Sequence, residues 1–107
     1  NKKIAKVKIW SANSIPDNLF IGKIVLLYDA LREYLGCLAM KKGYKVYNHE
    51  CYSSFLREIM GMSDEAIMFD KLRRIRNGIN YYGKEVDFEE GQYLIQNLKG
   101  LIDKFED

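Results

Sequence analysis

The segment Lys71–Gly83 reads Lys-Leu-Arg-Arg-Ile-Arg-Asn-Gly-Ile-Asn-Tyr-Tyr-Gly and holds the densest cationic run in the chain, four of the six residues Lys71–Arg76. Written as a helix over residues 67–82, it separates into two faces. Met68, Leu72, Ile75, Ile79 and Tyr82 recur at spacings of four and three and form an apolar stripe, while Arg73, Arg76, Asn77 and Asn80 fall along another side. A guanidinium presents a planar fork of donors, and neighbouring carboxamides can orient what it holds, so this set suits a phosphate or a carboxylate. His49, the only histidine, adds a group that exchanges a proton near neutral pH.

These residues must be positioned by two successive helices. Asn48 is a good cap for a helix over His49–Met60, with Cys51, Phe55, Leu56 and Ile59 on its inner face; Gly61 ends it, and Ser63 or Asp64 caps the next, which Gly83 ends. If the turn at residues 61–63 is tight, positions equally far from it lie side by side. Both helices rise about 1.5 Å per residue, which puts His49 level with Arg76 and within a turn of Asn77 and Asn80. Whether the two faces meet is not fixed by that count. Facing would gather imidazole, guanidinium, carboxamides and the phenol of Tyr81 or Tyr82 in one polar cluster. One of those tyrosines is expected at the site or in stacking and the other in the core.

The rest of the chain reads as scaffold. Residues 4–12 suit a short helix with Ile4, Val7 and Trp10 or Ser11 inward, although Lys-Val-Lys-Ile-Trp also alternates as a strand would. A long central helix is expected over Pro16–Lys42, with Phe20, Ile24, Leu27, Leu31, Leu35 and Leu38 inward and Gly43 as its stop. Tyr28, Tyr34, Leu26 and Val25 leave apolar area beyond that stripe, which a small bundle could bury by dimerising. Asp87 and Glu90 match a capping box that opens a last helix over Phe88–Phe105, with Tyr93, Leu94, Leu98, Leu101, Ile102 and Phe105 apolar. Short connections favour an antiparallel, up-and-down four-helix bundle with a short extra N-terminal segment: an all-α fold, one domain over residues 1–107.

Composition narrows the function classes. The 107 residues carry 17 basic and 15 acidic side chains, a net charge of +2, too balanced for an all-over basic coat on nucleic acid, so an anion site must be local. Cys37 and Cys51 lack any Cys-x-x-Cys spacing and read as two reduced thiols, which suits a reducing, cytoplasmic setting. One histidine and two separated thiols do not build a zinc site, and neither a phosphate-cradling glycine loop nor a serine elbow is present; no metal or cofactor is expected. The longest apolar run, Ile24–Tyr28, is far below the roughly 20 residues that span a bilayer, and the opening residues lack a signal-peptide core. The sequence begins at Asn1, leaving room for residues upstream. Glu33 is expected to pair with a basic residue of the fourth helix.

Taken in order, the long helix closing on Gly43-Tyr44-Lys45, the helix opening at Asn48-His49-Glu50, and Arg73-x-x-Arg76-Asn77-x-x-x-Tyr81-Tyr82-Gly83 resemble a HEPN domain of the small prokaryotic and archaeal type, over nearly the whole chain. The resemblance implies a dimerising helical bundle. Members of that family include metal-independent endoribonucleases and partners of minimal nucleotidyltransferases in toxin–antitoxin systems. Arg76 falls on the motif arginine and Asn77 on the polar residue after it, whereas the motif histidine is replaced by Tyr81-Tyr82-Gly83. A tyrosine of pKa about 10 accepts a proton poorly at pH 7. The leading expectation is therefore a dimeric module binding RNA, a nucleotide or a nucleotidyltransferase partner through Arg73, Arg76, Asn77, Asn80 and Tyr82. The alternatives are an active ribonuclease using Arg76 and Asn77 with His49 or Tyr81, and a purely structural, oligomerising adaptor.

Overall fold

A computed structural model describes residues 1–82 and 86–106, without the side chains of residues 80–82. Five helices carry the chain: α1 (Lys2–Asn13), α2 (Phe20–Lys41), α3 (Glu50–Ser54), α4 (Ser63–Tyr82) and α5 (Phe88–Phe105), with no strand among the described residues.

The N-terminal segment is a full helix. The Asn1 side chain caps α1 by accepting from the Ile4 N–H at 2.9 Å. Its inward face differs from expectation: Ala5 and Ala12 are sealed against α2 with Ile9 beside them, while Ile4, Val7 and Trp10 face outward. Close approach of two helix backbones selects the small side chains, and this outweighs the size of the apolar ones.

The central helix starts later than Pro16. Pro16 precedes a single 3₁₀ turn, Asp17–Leu19, and the Leu19 backbone (φ −99°, ψ 46°) leaves the helical region before α2 begins. Lys23, nearly buried, reaches back to Asp17 at 2.8 Å. Gly43 ends α2 at φ +83°, and the Tyr44 N–H closes the turn on the Ala39 carbonyl at 2.9 Å. Ile24, Leu27, Leu31 and Leu35 are buried as their spacing predicts. Tyr28 and Tyr34 are sealed too, because α2 is covered by α1 on one side and by α4 and α5 on others. That intramolecular burial removes both tyrosines from the surplus area assigned to a dimer.

Asn48 caps the third helix as its type suggests, accepting from the Cys51 N–H at 3.1 Å. The helix is regular only to Ser54. Residues Phe55–Ile59 form a wide π turn, marked by the Met60 N–H on the Phe55 carbonyl at 3.1 Å. At its end, Ile59 points outward rather than into the core, while Tyr52, Phe55 and Leu56 are buried. Gly61, at φ +66°, completes the turn into α4.

Leu72 and Ile75 of α4 are buried, with Met68 and Ile79 packed beside them, and Ala66 and Phe69 extend the same face. The helix stop assigned to Gly83 and the core or stacking roles of Tyr81 and Tyr82 fall outside the described residues. Asp87 caps α5 from its Oδ1 to the Glu90 N–H at 2.8 Å, and α5 runs over the expected span. Tyr93 is an exception within it, half-exposed with the Lys71 ammonium 5.3 Å from its ring centre. Gly91 seats α5 on α2: a Cβ there would lie 2.4 Å from the Phe20 ring.

Candidate phosphate site between α3 and α4

The cap at Asn48 fixes where α3 begins, and the turn at Gly61 returns the chain antiparallel alongside it. His49 and Arg76, level by residue count, also face each other. Asn48, His49, Glu50, Arg73, Arg76 and Asn77 line one shallow concavity of about 440 Å³. The side chains of Asn80, Tyr81 and Tyr82, assigned to the same site, lie outside the described residues.

Arg76 is held from below by α2. Its Nη2 donates to Asp29 Oδ1 at 3.2 Å, and the guanidinium carbon sits 5.7 Å from the centre of the Tyr28 ring. Both partners of the ion pair are less than one-fifth exposed, so the fork has a fixed orientation. Its Nε is enclosed with no acceptor among the described residues. Asp29 also receives Lys8 of α1 at 3.9 Å, which spreads its charge over two cations. On α2, the carboxylate that pairs with α4 is therefore Asp29 and not Glu33. Asp29 lies one turn before Glu33 on α2, and only the depth at which α4 crosses distinguishes them.

Arg73 is anchored within α4, donating from Nε and Nη2 to Asp70 Oδ1 at 3.2 and 2.9 Å, while its Nη1 stands 3.6 Å from Glu50 Oε1. Arg74 takes the second Asp70 oxygen at 3.0 Å and faces outward. Guanidinium groups are thus ranged along the wall, each oriented by a carboxylate that leaves other N–H donors uncommitted.

His49 is half-buried, and its Nδ1 shares a hydrogen bond with the Tyr28 hydroxyl at 3.1 Å. Desolvation first, then the positive fields of Arg32 and Arg76, hold the imidazole pKa below its ordinary value of 6.5. At neutral pH it is uncharged. Burial moves the Tyr28 phenol the other way, so that it stays protonated. When the phenol acts as acceptor, Nδ1 carries the proton and Nε2 keeps a free lone pair. A neutral base beside an oriented arginine and a carboxamide can hold a phosphodiester and take a proton from a hydroxyl next to it.

Sequence reasoning missed Tyr28 and Asp29. Both lie on the central helix, 21 and 47 residues from the side chains they orient, and neither has a local spacing that signals the contact. Among the described residues no three His, Cys, Asp or Glu side chains gather as a metal would require, and no helix is long and apolar enough to cross a membrane. Cys37 and Cys51 are free, half-buried thiols. Comparison with protein-family models, with characterised proteins and with solved structures returns no match to this chain.

Proposed function

We propose that the chain is a HEPN-like module that binds RNA or a nucleotide by its phosphate, in the concavity between α3 and α4. The observation that carries this reading is the convergence of His49, Arg73, Arg76 and Asn77 on one hollow, with Arg76 braced from behind by Asp29 and Tyr28. A side chain used only for packing needs no opening in front of it. Fluorescence anisotropy with a labelled single-stranded RNA tests the proposal. Arg76→Ala should weaken binding by about tenfold or more and lower the slope of log affinity against log salt by about one. Equal affinities for the wild-type chain and the variant would overturn it.

A second reading is favoured by one specific feature, the uncharged imidazole facing Arg76. In this reading the module cleaves RNA without metal: His49 accepts the proton of a 2′-hydroxyl whose oxygen attacks the adjacent phosphorus, the P–O5′ bond breaks to leave a 2′,3′-cyclic phosphate, the departing 5′-oxygen takes a proton from water, and Arg76 stabilises charge on the phosphorus-bound oxygens. His49→Ala and Arg76→Ala should then each abolish cleavage, and absence of cleavage by the pure wild-type chain would sink it. The up-and-down HEPN topology, a homodimer and a minimal nucleotidyltransferase as cognate partner belong to the same proposal. They rest on the resemblance of Arg76-Asn77 and its surrounding helices to that family.

A further inference from the structure

Of the five arginines, four have a carboxylate within 4.0 Å: Arg57 has Glu58, Arg73 and Arg74 share Asp70, and Arg76 has Asp29. Arg32 has none among the described residues, and its Nε is enclosed without an acceptor. It does not line the concavity in front of Arg76. It lines a larger one, about 660 Å³, formed where α2, the loop after Gly43 and the start of α3 diverge. Pockets of roughly 300–1,000 Å³ with mostly apolar walls and a few placed polar groups are the common form of small-molecule sites.

We propose that this cavity binds a small aromatic anion, its acidic head on the Arg32 guanidinium and its ring system against Tyr44, Val46 and Tyr52. The wall supports both halves of such a ligand. Cys37, Met40, Tyr44, Val46 and Tyr52 give it apolar and aromatic surface, and Lys45 at the mouth adds a second cation. Glu33 is the one carboxylate on the wall, against the two cations Arg32 and Lys45. Gly36 sets one wall: a Cβ there would come within 3.1 Å of the Tyr52 hydroxyl, so the absence of a side chain makes room for the Tyr52 ring beside α2.

Both a nucleoside monophosphate and an aromatic carboxylate have this chemistry. The probe is 8-anilinonaphthalene-1-sulfonate, an aromatic anion whose fluorescence rises in an apolar site, titrated into the whole chain. A single saturable site is expected. Arg32→Gln should weaken it by about tenfold, the worth of a charge-assisted hydrogen bond, and unchanged affinity in a variant with native circular dichroism would overturn the proposal. Should Arg32→Gln fail to fold, the rim decides. Met40 is 78% exposed and tolerant of replacement. Met40→Glu should weaken the probe and Met40→Lys tighten it, each by about two- to threefold at low salt; equal affinities would overturn the assignment. Competition distinguishes the sources: displacement by adenosine monophosphate supports the nucleotide, displacement by 2-naphthoate alone supports the carboxylate, and displacement by neither overturns the anion site. RNA affinity should follow Arg76 and probe affinity Arg32, so the two sites fail separately.

Discussion

His49 links stability to pH through a single residue. Its pKa is lowered in the folded chain, by desolvation and then by Arg32 and Arg76, so the unfolded chain binds the proton more readily. The stabilisation it contributes is complete above the ordinary pKa of 6.5 and is lost as pH falls towards the folded value. The thermal midpoint is expected to drop between pH 7.5 and pH 5.5, and His49→Gln should flatten that dependence. An identical pH profile for the variant would show that another group governs it. Arg76 has a structural share as well. Removing it leaves Asp29, less than one-fifth exposed, with only Lys8 at 3.9 Å, and Arg76→Ala should cost about 1–3 kcal/mol by denaturant titration. The Arg76-Asn77 pair was legible because its residue types and spacing are local. Asp29 was not, since a lone aspartate on an apolar helix carries no mark of the helix that will cross it.

At the scale of elements, four features of local backbone chemistry were readable in advance, the Asn48 and Asp87 caps and the glycine stops at 43 and 61, whereas the 3₁₀ turn before α2 and the π turn after α3 were not. Each is settled by one or two residues and their own hydrogen bonds. Facing was harder. Ile4, Val7 and Trp10 outweigh Ala5 and Ala12 in apolar area, yet α2 accepts the alanines because closeness of approach decides that contact. The same principle operates where α5 meets α2. Gly91→Ala would push a methyl to within 2.4 Å of the Phe20 ring and should destabilise the chain by about 1–3 kcal/mol. Adding Phe20→Leu should recover part of that loss in the same unfolding measurement; additive losses would mean that the contact is not the cause.

The whole molecule is a balanced polyampholyte with a net charge of +2, so its affinity for a polyanion should come from the wall at Arg73 and Arg76 and not from overall attraction. A bundle organised on α2 was legible in the apolar repeat Phe20–Leu38, about five turns of that helix. The number of layers around it was not, because the N-terminal helix declares its inner face only once its neighbour is present. Tyr28 and Tyr34, which look like spare surface in the sequence, are spent inside one chain. A homodimer therefore needs other contacts, and light scattering coupled to size exclusion measures it directly: a mass of twice 12.6 kDa is the expected result for the HEPN-like reading.

The π turn at Phe55–Ile59 lets the segment before it keep its facing at either of two lengths. Five residues at the roughly 85° each of a wide turn cover about the same rotation as four at the roughly 100° of an ordinary helix. Deleting Glu58, on the solvent side, would therefore leave residues 48–54 within about 30° of their present azimuth and His49 still towards Arg76. A deletion within the regular stretch Glu50–Ser54, where no wide turn takes up the slack, would instead swing His49 by about 100° away from the Arg76 wall. The facing of the hollow is thus buffered against a change of length after Ser54 and exposed to one before it.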